Sequence, residues 1–320
     1  MTILVAGGSG FVGSNALEFL LKKNIKINAT YLNNKPVIKS KNIRYIRADL
    51  SCYKTCLNLS KDSKYIYMFA GHVFSHASLV NTQNINISKN ILINLNMAKA
   101  AIENKVKSYC WLSSSTGYPD YKKKILEQDF FKKDPPFNYF IPGWQSRFIE
   151  KIIYYYSKSS SSSTAIITIR PTEIFGEYDD FDYETCHALP AYIRRIVEAR
   201  DTKIEKKIIV TGNFLKKKNY IYAKDLVSII YKLMNIKHKN KYECFNICSK
   251  FNYSLKELLE TIINIEHNYK LKLVFEKKIK QVKDLRRFSS TKVIKKIFST
   301  DTNNIENNLR SLLNWFSLNK

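Results

Sequence analysis

Ile3-Leu4-Val5-Ala6-Gly7-Gly8-Ser9-Gly10-Phe11-Val12-Gly13 begins as a short apolar strand, turns through closely spaced glycines and runs on as a helix ending near Lys23. Glycine is needed there because the strand must turn tightly, the backbone must come close to a pyrophosphate, and the helix must then pack on the strand. The helix start offers unpaired N–H groups and the positive end of a dipole to that pyrophosphate. Gly7, Ser9, Gly10, Phe11, Val12 and Gly13 are therefore the expected cradle of a dinucleotide.

Working outward from this turn, the chain alternates strand-like and helix-like segments, as a parallel sheet covered by helices does. Strands are expected over 25–32, 43–48, 65–69, 108–113 and 165–170, and helices over 90–104 and 142–157. The serine run 159–163 reads as a flexible surface turn. Beyond Arg170 the alternation loosens, with a strand at 207–211 and helices from Asp225 and over 254–265. The fold class is α/β, a Rossmann-type doubly wound parallel sheet. Residues 1–170 form the dinucleotide-binding domain, with a returning segment near 212–240, and residues 171–320 a smaller, interleaved substrate domain.

At 320 residues with 45% hydrophobic content, the chain has ample material for a core. No charged leader followed by an apolar run opens it, and no apolar stretch is long enough to cross a bilayer. A soluble, cytoplasmic protein without a membrane partner is expected. Cys52, Cys56, Cys110, Cys186, Cys244 and Cys248 follow no zinc or redox spacing and read as reduced thiols. The formal net charge of +26 raises the possibility of nucleic-acid binding, but the lysines are scattered through the whole chain rather than gathered on one element. Such a charge also attracts anionic cofactors and substrates.

The second strand addresses which dinucleotide is bound. NAD-preferring folds place an acidic residue there for the ribose hydroxyls, yet no Asp or Glu occurs between Glu18 and Asp49. Asn33, Lys35, Lys39 and Lys41 occupy the region instead, which favours NADP, with NAD possible and with solvated surface as the bland account of the lysines. Asp49, followed by Leu50, either meets the adenine amino group or caps the next helix.

These segments resemble the extended short-chain dehydrogenase/reductase family of nucleotide-sugar epimerases, dehydratases and reductases. The marks are the glycine turn, Ala48-Asp49-Leu50, Leu112-Ser113-Ser114-Ser115-Thr116-Gly117-Tyr118-Pro119, Arg170-Pro171-Thr172-Glu173-Ile174-Phe175-Gly176 and Tyr220-Ile221-Tyr222-Ala223-Lys224-Asp225-Leu226. Within the family, the segment 181–191, containing His187-Ala188-Leu189-Pro190-Ala191, is most similar to the GDP-L-fucose synthase branch. The resemblance implies hydride exchange between a nicotinamide and a sugar carbon. A tyrosine exchanges the proton on the sugar oxygen, and a serine, here Ser114, hydrogen-bonds that oxygen. A phenol has a reference pKa of about 10, so this chemistry draws on a lysine four residues after the tyrosine.

That pair is missing. Anchored on Glu150, the two positions hold either Pro142 and Ser146 or Gly143 and Arg147, and only Arg147 offers a cation beside the cofactor. Tyr154 and Lys158 repeat the spacing, but roughly 16 Å further along the helix. Tyr139 is the first candidate for a replacement acid and Tyr118 the second. The resemblance also gives His187 a proton-transfer role, with a pocket hydrogen bond as the alternative. Thr116 stands where the fucose synthases use cysteine, which disfavours double epimerisation and favours simple ketone reduction. Arg195, Lys218 and Arg287, with Arg194 and Arg286 as neighbours, are the expected cations for the substrate diphosphate. No metal site is expected, and a homodimer is. The competing account is a relative that binds a dinucleotide or nucleotide sugar without turnover.

Overall fold

A computed structural model describes residues 2–71, 87–121, 123–202, 207–266, 271–277, 287–297 and 304–320. Seven parallel strands form the main sheet in the order Tyr242–Ile247, Ala165–Pro171, Ser108–Leu112, Tyr65–Met68, Ile3–Ala6, Ile27–Tyr31, Ile43–Arg47. Every neighbouring pair is parallel, so each connection must cross over the sheet, and helices bury both faces. Alternation assigns the faces. Ile3 and Val5 pack with Leu17, Leu20, Ile230 and Leu233 on one side. Leu4 and Ala6 pack with Met97, Ala101 and Ile153 on the other.

Strand order reverses at Ile3–Ala6, which has Ile27–Tyr31 on one side and Tyr65–Met68 on the other. A crevice opens at the carboxyl ends of the strands at such a reversal. The glycine turn lies there.

The extra strand Tyr242–Ile247 closes the sheet edge, and its mixed sequence gives little strand signal. Helix Ala223–Asn235 packs on the main sheet through Leu226, Ile229, Ile230 and Leu233. A separate core gathers Ile193, Ile196, Ile208, Leu259, Leu312 and Phe316. Beside it lies a small sheet in the order Asn252–Ser254, Lys217–Tyr222, Glu173–Phe175. The serine run is more fixed than a flexible turn: Ser162 is buried and its hydroxyl lies 2.8 Å from that of Thr164. Among the described residues no helix is long and apolar enough to cross a membrane.

Candidate functional site

The glycine turn is held from both sides. The Gly7 N–H donates to Thr30 Oγ1 (3.0 Å) and the Gly8 N–H to the Thr30 carbonyl (2.8 Å). Gly7 has φ +83°, and a Cβ there would lie 2.6 Å from the Ala70 amide nitrogen. A Cβ on Gly13 would lie 2.0 Å from the Gly7 carbonyl oxygen. Gly10 differs, because its Cβ would meet nothing nearer than 3.5 Å. Internal packing does not demand glycine there, whereas a ligand approaching the backbone does. The helix Phe11–Leu21 starts without a side-chain cap. Its first internal bond, from the Ser14 N–H to the Gly10 carbonyl, leaves the amides of Phe11, Val12 and Gly13 to a ligand. These donors, with no acidic residue in the first turn, fit a dinucleotide pyrophosphate.

At the end of the second strand Asn33 and Lys35 are exposed. Arg47, on the neighbouring strand, donates to the Leu32 carbonyl (3.4 Å) and adds a cation that the sequence reading missed. Asp49 accepts from the Ser51 N–H (2.9 Å) and hydroxyl (2.7 Å), and these bonds hold its carboxyl below the usual range. It caps a turn, and its other oxygen lies 3.8 Å from Lys89 Nζ. The Leu50 side chain is buried in the core with Leu4 and Cys56, so only its backbone can face a nucleotide.

Ser114 follows the strand Ser108–Leu112 and caps a short turn over Ser115–Gly117. The Thr116 N–H donates to Ser114 Oγ (3.2 Å), and the two hydroxyls lie 2.8 Å apart. Beneath them, the Ser113 hydroxyl donates to Glu150 (2.5 Å), and Arg170 grips both oxygens of Glu150 (2.9 and 2.6 Å). This pair is almost fully buried. Desolvation opposes the charge on Arg170, but Glu150 outweighs it and holds the guanidinium protonated.

Three residues at and beside the helix Phe140–Ser159 bear on the missing tyrosine and lysine. Arg147, expected beside the cofactor, is instead buried and donates to the Gly117 carbonyl (2.8 Å) and the Lys133 carbonyl, between the rings of Phe130 and Trp144. Tyr118 is also buried, donating to Asn246 Oδ1 (2.5 Å) and accepting from Arg170 (2.8 Å), so it is no proton donor to a ligand. Gly143 has no space for a side chain, since a Cβ would lie 2.7 Å from Pro135 Cβ and 2.9 Å from the Thr116 carbonyl oxygen. The family tyrosine is therefore both absent and sterically shut out in this register. Tyr154 stacks edge-on against Tyr242 at 5.2 Å, on the far edge of the sheet.

Tyr139, half-buried, immediately precedes this helix, one turn before Gly143. It acts electrostatically on Lys218, which lies 3.2 Å from Glu173 Oε1. Glu173 foremost, then Tyr139 and Tyr220, hold the Lys218 ammonium above its ordinary value. Desolvation pushes Glu173 up, but Lys218, with His187 and Lys216 beyond it, overcomes this and keeps the carboxyl below its usual range. Sequence reading quoted Glu173 within a motif without assigning it a role. The exposed His187 sits just before the helix Ala188–Thr202. On that helix Arg194 is tied to Glu198 (2.7 Å) and the Phe181 carbonyl (3.0 Å). Exposed Arg195 instead lines a cavity of about 820 Å³ with Tyr183 and Tyr192. Arg287 is described only as part of the strand Arg287–Phe288, and Arg286 lies outside the described residues. Among the described residues no cluster fit for a metal ion occurs.

A glycine cradle at a strand-order reversal, with a preset hydroxyl on the same edge of the sheet, defines a dinucleotide-binding α/β protein. The chain belongs to the NAD dependent epimerase/dehydratase family, whose model matches residues 3–248. A GDP-L-colitose synthase from Yersinia pseudotuberculosis is 25% identical over 281 residues, 87% of this chain and 85% of that protein. A GDP-L-fucose synthetase from Naegleria fowleri superposes with a TM-score of 0.82 at 19% identity, covering 99% of this chain and 93% of the other, and it has also been solved bound to NADP. A UDP-glucuronic acid 4-epimerase from Bacillus cereus, in complex with UDP-glucuronic acid and NAD, gives 0.81 at 17% identity and 99% coverage of both chains. At these identities the solved structures bear on fold alone.

Proposed function

We propose that this protein is an NAD(P)-dependent enzyme acting on a nucleotide-linked sugar, reducing a 4-keto group or epimerising beside it. Reduction is favoured because Thr116, a hydroxyl, stands where epimerisation calls for a thiol. The observation that carries the proposal is the Lys218–Glu173 ion pair (3.2 Å), with Tyr139 within electrostatic reach of Lys218 and His187 of Glu173, and with Tyr139 four residues before Gly143, whose backbone lies beside Thr116. Reduced nicotinamide, when bound, supplies the hydride. When Thr116 donates to Ser114, the Ser114 proton is left for the sugar oxygen. Tyr139 delivers the proton that completes the alcohol, and His187 borders the same sugar. Arg195, Lys218 and Arg287 take the diphosphate.

NADP is the preferred cofactor in this account, with Asn33 and Lys35 beside its 2′-phosphate and Asp49 near the adenine. Residues 1–170 hold the dinucleotide and residues 171–320 the sugar nucleotide. The protein works as a cytoplasmic homodimer in the supply of a surface polysaccharide sugar. The test is a panel of 4-keto nucleotide sugars with different bases, offered with NADPH. NADPH consumption and a reduced sugar product are expected from at least one. Tight NADPH binding without consumption across the panel would instead describe a protein that binds and does not turn over.

A further inference from the structure

A cavity of about 690 Å³ lies away from the dinucleotide crevice, against the edge strand Tyr242–Ile247 and between the helices Phe140–Ser159 and Thr291–Ile297. That volume suits a small organic molecule. Aromatic rings of Phe131, Tyr154 and Tyr242 wall it, and Lys151, Lys292 and Lys295 stand at its margin. Lys292 is steadied by the Cys244 carbonyl (2.7 Å), and Lys151 lies 4.2 Å above the Phe131 ring.

The floor includes Arg170. Its guanidinium has five N–H groups. Four are spent, on the two Glu150 oxygens, the Tyr118 hydroxyl and the Glu127 carbonyl. One N–H on Nη2 has no acceptor among the described residues, although Arg170 is only 2% exposed. A buried donor in that state favours an acceptor delivered by a ligand. Of the two carboxylates that line the cavity, Glu150 is neutralised by Arg170, and Glu127 accepts the Asn246 N–H through Oε1 (3.0 Å).

We propose that this cavity is a second ligand site, taking a small organic anion with a flat apolar body, such as an aromatic carboxylate or sulfonate. The rings take the body, and the lysines with the spare Arg170 N–H take the anionic head. The site shares its floor with the loop that carries Ser114, through Ser113 on Glu150 and Tyr118 on Arg170.

The probe is 8-anilinonaphthalene-1-sulfonate, titrated by fluorescence into the full chain saturated with NADPH. One saturable site that NADPH does not displace is expected. Lys292→Glu with Lys295→Glu weakens it about tenfold, while Lys54→Glu with Lys61→Glu, on another face, leaves it unchanged. The probe also slows N-ethylmaleimide labelling of Cys244, which lines the cavity, and not of exposed Cys52. Displacement by NADPH, equal weakening by both lysine pairs, or unprotected Cys244 would each overturn the proposal.

Discussion

At Gly7 and Gly13 close contact demands the glycines that the sequence supplies, whereas at Gly143, one of the two positions aligned with the family tyrosine, close contact shuts out any side chain. A Cβ at Gly13 meets the Gly7 oxygen at 2.0 Å, and one at Gly143 meets Pro135 and the Thr116 oxygen at 2.7 and 2.9 Å. Both are steric facts about missing Cβ atoms, yet they bear on different steps. The first keeps a cofactor cradle open, and the second closes the ordinary place for a proton donor. In the proposed function, binding and chemistry thus rest on separate parts of this fold, one kept and the other rearranged.

The sharpest way to break the first half is Gly13→Ala. Its methyl collides with backbone rather than with a yielding side chain, so stability falls by about 2–3 kcal/mol. NADPH affinity falls with it, by at least about a hundredfold, read by calorimetry and thermal melting. For the second half, Gly143→Tyr returns the family residue to a place with no room. It costs about 1–3 kcal/mol from overpacking and brings no gain in turnover. A faster enzyme would show that the helix start is open after all. A smaller effect is expected of Lys35→Glu, which weakens NADPH binding about three- to tenfold and leaves NADH binding nearly unchanged. Equal loss for both cofactors would take Lys35 away from the 2′-phosphate.

Much of the fold was legible. Strands expected at 65–69 and 108–113 are observed at Tyr65–Met68 and Ser108–Leu112, because buried parallel strands leave continuous apolar runs, and the one expected at 43–48 is observed at Ile43–Arg47, a half-exposed edge strand in which Arg alternates with apolar residues. The edge strand Tyr242–Ile247 carries no such run and was overlooked. Site residues were read less completely, for a physical reason. Arg147 has the charge and spacing of a cofactor ligand, but burial and bonds from two of its N–H groups to backbone carbonyls hold it within the protein, and nothing local in the sequence reveals those partners. Tyr118 is lost to the core by its bond to Asn246, 128 residues away. Glu173 gains meaning only from Lys218 on the adjacent strand, 45 residues on. Such pairings belong to the tertiary structure, whereas the glycine turn is a local motif.

The central claim is that proton delivery has moved from the closed Gly143 position to Tyr139, and Tyr139→Phe tests it most directly. With a 4-keto nucleotide sugar that the wild-type protein reduces, kcat should fall about a hundredfold, while NADPH affinity and melting temperature stay unchanged. Undiminished turnover by Tyr139→Phe would contradict the account and assign the proton to another group.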